Sequence, residues 1–279
     1  MNMKRIFIIF IATFFTSFNA IASDLDIALQ QTYMSCMGIN DMLSDMKKIA
    51  GINTVVTGVG TVAGGGALVA GIKKHNLLEK LRELEESEDF VPEDKKIHVT
   101  YNPNFKPTTK SQVKKLGNWR TGLLAVNTAT NVAGAVMASK NEHDGILQEK
   151  IQSCINTVDK LHPILMQAKM NQEDVTEAES IYTTCSGYKY IDLSVLSKRA
   201  KGAKIASVVG GGTGAVGVIV SQVANKSSGD KEKKLDTASN VLAGGATALS
   251  GTATVFNALQ ISAIKKISDV AQQCENLLK

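Results

Sequence analysis

Proline, histidine and aromatic side chains are scarce in this chain of 279 residues, and each scarcity closes off a class of protein. Only four prolines occur (Pro92, Pro103, Pro107 and Pro163), so long stretches are free of the residue that most often ends a helix. Only four histidines occur, and none stands at metal-site spacing to another histidine or to a cysteine. Aromatics are 5% of the chain, and five of the eight phenylalanines fall within the first 18 residues. The remainder therefore has neither an aromatic-rich core nor a basic stacking surface for nucleic acid. Neither G-x-S-x-G nor H-E-x-x-H is present. His75 and His98 lie in a polar stretch where exposure is expected, and Glu83, Glu85, Glu86, Glu88 and Asp89 read as a solvated helix face. The expectation is a protein that is not an enzyme, takes no cofactor or metal, and has no nucleic-acid partner.

Charge is lacking locally rather than overall. Four windows, 51–72, 117–139, 202–225 and 237–264, contain only two charged residues, Arg120 and Lys204, yet hold 19 of the 23 glycines. None contains proline. Elsewhere the formal charge of +5 is mild and scattered. At the start of the chain, Lys4 and Arg5 precede the apolar run Ile6–Phe18, and Ala20-Ile21-Ala22 supplies a small-x-small cleavage pattern. Residues 1–22 thus read as a secretory signal. The four cysteines (Cys36, Cys154, Cys185 and Cys274) all follow it, and their even number suits an oxidising compartment. The expected location is the periplasm or the envelope membrane, with secretion as a further destination.

The chain also repeats itself. Tyr33-Met34-Ser35-Cys36-Met37-Gly38 and Tyr182-Thr183-Thr184-Cys185-Ser186-Gly187 share Y-x-x-C-x-G, and each is followed by a basic stretch ending in Lys47-Lys48 or Lys198-Arg199. The run from Gly58 aligns with that from Gly210, Lys115-Leu116 with Lys234-Leu235, and Thr128-Ala129 with Thr247-Ala248. Each copy closes on a cysteine, Cys154 or Cys274. The reading is an all-α protein of two tandem copies of a disulfide-clasped, glycine-rich helical hairpin. It places the first copy at 23–158 with a mixed, charged insertion at 73–116, a linker at 159–176, and the second copy at 177–279. Within the insertion, Leu77, Leu78, Leu81 and Leu84 predict a helix over 73–90, and Ile97–Tyr101 a short strand. Pro163 and Asn171 are expected to interrupt the linker.

Three readings compete for the glycine-rich windows. Gly58-x-Gly60-x-x-Ala63 and Gly210-x-Gly212-x-x-Ala215 fit a relaxed dinucleotide fingerprint, with Glu79 and Asp230 about twenty positions on. No strand–helix alternation surrounds them, however. The β-branched residues from Val55 to Val62 suit a strand, but the windows are far too long for one. Small residues at i,i+4 spacing favour the third reading, a glycine-zipper helical hairpin. They place Gly60, Gly64, Gly71, Gly134, Gly210, Gly214 and Gly244 at close helix–helix contacts.

Helical hairpins would also fix the disulfides. Cys36 lies 15 residues before Gly51 and Cys154 lies 15 after Ser139, so the two sulfurs reach a similar height. The expected pairs are Cys36–Cys154 and Cys185–Cys274.

The run Gly51–Gly66 and the Y-x-x-C-x-G boxes resemble uncharacterised exported glycine-zipper proteins of Gram-negative bacteria. The glycine pattern is also similar to glycine-zipper segments of membrane-active proteins and toxins. These resemblances imply no activity and transfer no functional residue. Two readings of function stay open. In the first, the hairpins associate with or insert into a membrane and self-assemble, with lipid and further copies of the chain as partners. In the second, the protein is a soluble periplasmic or secreted scaffold that contacts a protein partner through residues 73–116. Asn127, Asn131, Asn240 and Asn257 dilute the hydrophobicity of the windows, and lysines at both ends give no orientation.

Overall fold

A computed structural model of the protein describes residues 23–89, 105–142 and 145–279. The expected signal segment and the expected strand at 97–101 lie outside the described residues. All secondary structure among the described residues is helical: α1 (Asp24–Cys36), α2 (Ile39–Asp89), α3 (Phe105–Glu142), α4 (Gly145–Met170), α5 (Thr176–Cys185), a 3-10 turn (Ser186–Tyr190), α6 (Ser194–Lys226) and α7 (Gly229–Leu277). Ser23 caps α1 through a capping box. Its hydroxyl accepts from Asp26 N, and its own backbone N–H donates to Asp26 Oδ2, each at 3.1 Å. Gly38, with φ +84°, ends that helix and allows the next to start at Ile39.

Two local expectations change. The helix expected over 73–90 is the last third of α2, because no proline or left-handed residue intervenes and the 51-residue helix simply continues. Pro163 does not interrupt the chain either, since α4 runs through it to Met170. The proline is exposed, so water can satisfy the carbonyl one turn earlier. Leu147, Ile151, Val158, Leu161 and Leu165 hold the opposite face of α4 in a buried stripe. Only the turn after Met170, where Gln172 has φ 61°, breaks the linker.

The chain forms two compact units, each assembled from separated segments. The first combines residues up to Asp45 with Asp144–Leu193 and Ile264–Lys279. Its core is conventionally apolar: Ile39, Leu43, Leu147, Ile151, Leu161, Ile181 and Ile267 are all at most 4% exposed. Both disulfides lie in it, Cys36–Cys154 and Cys185–Cys274.

The second unit combines Met46–His143 with Ser194–Ala263. Its four helical segments form an antiparallel bundle, as the register of their contacts shows. Between α2 and α3, Gly60 approaches Thr130, Gly66 approaches Leu123 and Gly71 approaches Arg120. Gly202, Gly210 and Gly217 of α6 meet Phe256, Leu249 and Leu242 of α7 in the same falling order. Buried positions recur at alternating steps of three and four. They are Asn53, Thr57, Gly60, Gly64, Ala67, Gly71 and Lys74 in α2, and Asp236, Ser239, Ala243, Ala246, Ser250, Ala253, Asn257 and Gln260 in α7. This is a heptad seam, the pattern of left-handed helix packing. Small and polar residues occupy it where a water-soluble bundle would place leucine.

Candidate functional site: a polar seam beneath an apolar surface

The seam of the second unit is built from side chains that usually face water. At one end, Arg120 Nη2 donates to Asp236 Oδ1 at 2.6 Å, its Nε donates to Ser221 Oγ at 2.9 Å, and Nη1 donates to Asn240 Oδ1 at 3.4 Å. Lys74 Nζ donates to the same Asp236 oxygen at 2.9 Å and to Asn225 Oδ1 at 3.1 Å, and pairs with Glu232 at 2.9 Å. Lys74, Arg120 and Asp236 are wholly buried. Two cations face two carboxylates, so the cluster is close to neutral, as a low-dielectric setting requires. A cavity of about 640 Å³ opens beside it, with Lys74, Asn225 and Glu232 among its walls.

Midway along the bundle, amides and hydroxyls replace charge. Asn127 Nδ2 donates to Gly60 O at 2.6 Å and to Ser250 Oγ at 3.2 Å, and Asn131 Nδ2 donates to Asn127 Oδ1 and Ser250 Oγ, both at 2.7 Å. Thr254 Oγ1 donates to Thr57 Oγ1 at 3.0 Å. At the far end Asn53 Nδ2 donates to Asn257 Oδ1 at 3.1 Å. Asn53 Oδ1, Asn257 Nδ2, Ser207 Oγ and the amides of Asn141 and Gln260 have no hydrogen-bond partner there. Between the charged and amide layers sits one apolar plug of Ala67, Leu124 and Ala243.

The outer surface is the converse. Ile52, Val55, Val59, Val62 and Val69 of α2 are 50–77% exposed. So are Val132 and Val136 of α3, Ile205, Val208, Val216 and Ile219 of α6, and Val241 and Val255 of α7. Over these stretches no exposed side chain is charged. Charges return at both rims, with Lys73, Lys115 and Lys226 near one and Lys140 and Lys201 near the other. Beyond the charged end, Glu79 accepts from Lys233 Nζ at 3.0 Å and has His75 at 3.5 Å. The Lys233 hydrogen bond and charge, then His75, hold the Glu79 carboxyl below its ordinary value.

The glycines expected at helix contacts divide. A methyl group added to Gly60 would lie 2.4 Å from Thr130 Oγ1, and one on Gly71 would lie 1.8 Å from Asn240 Oδ1. Methyl groups added to Gly64, Gly134 and Gly214 would meet neighbours at 2.4, 2.7 and 2.6 Å, and one on Gly210 would do so at 3.2 Å. Gly244 is different, with nothing within 4 Å. Ala243 and Ala246 make the contact on that turn while Gly244 points away from the seam. In the first unit the sulfurs of Cys36, Cys154 and Cys274 lie within 4.8 Å of one another. All three are in disulfides, so none offers a thiolate to a metal.

Sequence reasoning missed the charge cluster. In the sequence Lys74 reads as a lysine flanking a window and Arg120 as one of two isolated charges, while Asp236 falls just outside the last window and draws no reading. The signal was available in the three-and-four spacing of Arg120, Leu124, Asn127, Asn131, Gly134, Ala138 and Asn141.

Among the described residues, the stretches Asp24–Glu83 and Ser194–Lys226 are long and apolar enough to cross a membrane. No protein-family model, curated protein or solved structure matches the chain.

Proposed function

We propose that this is an exported, non-enzymatic membrane protein whose second unit sits in a bilayer as two helical hairpins. The observation that carries the reading is the contrast between its two cores. One chain packs Ile and Leu inside its first unit, yet turns Val and Ile outward and Asn, Ser, Thr, Lys, Arg and Asp inward in the second. In water, each large aliphatic side chain left outside forgoes about 1.5–3 kcal/mol, and each polar group inside adds a desolvation cost. In lipid both terms reverse, because the acyl chains accept the aliphatic surface and polar groups must find partners inside the protein. The window 51–72 spans 22 residues, or about 33 Å of helix against a hydrocarbon thickness of about 30 Å. The two disulfides fit folding in an oxidising compartment.

The test is Val62→Lys combined with Val216→Lys, in the full chain expressed with its own N-terminal segment. Wild type should resist carbonate extraction of cell envelopes and float with vesicles, while the double variant should be released or fail to insert. If wild type washes off, and the lysines leave fractionation and stability unchanged, the bilayer reading fails. The soluble scaffold would then replace it.

A further inference from the structure

At the lysine-bearing rim near the charged cluster, the second unit carries a shallow groove of about 570 Å³. Leu77, Leu116 and Trp119 line it together with Lys73 and Lys115 and the amides Asn76 and Gln112. Trp119 is 68% exposed and is the chain's single tryptophan. Lys73 directly follows the charge-free window of α2, and Trp119 lies at the start of the corresponding window of α3, so the groove marks the edge of the apolar belt. Both lysines are exposed, and neither has an acidic partner among the described residues. An indole at such an edge has an apolar body to bury and an N–H to keep near polar groups, the arrangement favoured at the headgroup level of a bilayer.

We propose that this groove seats one anionic phospholipid, with an acyl chain along Leu77, Leu116 and Trp119 and its phosphodiester between Lys73 and Lys115. The inference rests on the bilayer reading above and adds a lipid class and a place to it. Charge selects the occupant, because two lysine ammonium groups attract a net-negative headgroup, whereas a choline headgroup brings its own cation against them. At low salt, two such lysines should favour the anionic lipid by roughly 10- to 30-fold, a preference that salt weakens.

Because Trp119 is the only tryptophan, its fluorescence reports on this groove alone. The mature protein is reconstituted in phosphatidylcholine vesicles carrying a minor fraction of either brominated phosphatidylglycerol or brominated phosphatidylcholine. Stronger quenching by the brominated phosphatidylglycerol is expected. Lys73→Gln with Lys115→Gln should abolish the preference, and Lys73→Arg with Lys115→Arg should retain it. Equal quenching by the two lipids, or none in protein that floats with the vesicles, overturns the proposal and leaves the bilayer reading standing. Competition by free glycerol phosphate at matched concentration also overturns it, in favour of a small-anion site. Protein that does not float overturns both.

Discussion

Arg120 Nη2 lies 2.6 Å from Asp236 Oδ1 with both side chains fully buried, and the same oxygen accepts Lys74 Nζ at 2.9 Å. One carboxylate thus compensates two cations from two other helices. Removing it strands both, although Lys74 retains Glu232. Removing Arg120 leaves Asp236 paired with Lys74. Breaking a buried pair costs about 3–5 kcal/mol. Asp236→Leu should therefore destabilise the second unit by about that amount, and by more than Arg120→Leu. Denaturant unfolding of the purified variants, followed by circular dichroism, gives the order. Equal or reversed effects would contradict the geometry.

The glycines give opposite signs in one helix. Gly64→Ala would drive a methyl group to 2.4 Å from Asn127 Nδ2 and Thr247 Oγ1 and to 3.2 Å from the Thr247 backbone, which cannot swing aside. A loss of about 1–3 kcal/mol is expected. Gly58 and Gly65 have nothing within 4 Å, and replacing either by Ala should stabilise by roughly 0.4–1 kcal/mol through helix propensity and a less flexible unfolded chain. Gly244→Ala should behave like the second group. Melting temperatures of the four single variants test this, and uniform destabilisation would show that the outward glycines are also packed.

How much of this was legible in the sequence depends on which side chain is asked. The disulfide pairs followed from equal helical offsets, since Cys36 and Cys154 stand at the same distance from their windows. The all-helical class followed from long proline-free runs with small residues at i,i+4. The seam did not, because Asn127, Asn131, Asn240 and Asn257 read in the sequence as diluted hydrophobicity, a property of composition, and Asn53 drew no reading at all. The meaning lies in phase: Asn53, Asn127, Asn131 and Asn257 occupy the buried heptad step while valines occupy the steps between, and Asn240 sits half-buried beside the seam. Lys74, Arg120 and Asp236 come from three helices far apart in sequence, and nothing local to any of them announces the other two. Gly244 failed for the converse reason, since i,i+4 spacing identifies a face without saying which face is buried.

The cysteine cluster makes a prediction about exchange. In Cys154→Ala, Cys36 becomes a free thiol among sulfurs that the native fold holds within 4.8 Å. Its thiolate can attack the sulfur of Cys274, forming Cys36–Cys274 and releasing Cys185 as the thiolate. Non-reducing peptide mapping of that variant should find Cys36–Cys274 beside Cys185–Cys274, whereas Cys36 that stays wholly reduced would contradict the proximity. Replacing both Cys36 and Cys154 by Ala removes the exchange. It should also lower the stability of the first unit by about 2–5 kcal/mol, because the bridge closes a separation of 118 residues.

Tyr188 supplies the pH dependence. It is 1% exposed, and its hydroxyl has no hydrogen-bond partner. Burial pushes the phenol above its ordinary value of 10.0, and the Glu275 carboxylate pushes it the same way. A raised folded-state value means that the neutral form is the one the fold accepts. Its contribution is complete below about pH 10, where the unfolded phenol is also protonated, and is lost as pH rises above that. Tyr188→Phe removes both the buried unpartnered hydroxyl and the titration. At neutral pH the variant should be as stable as wild type or up to about 1 kcal/mol more stable. At about pH 11 its advantage should widen, since only wild type must keep a proton that solvent is removing. Urea midpoints of the two proteins at both pH values decide it, because other titrating groups cancel in the difference. A Phe variant that loses stability at neutral pH would show that the Tyr188 hydroxyl has a partner, and a constant difference would show that it does not titrate with folding.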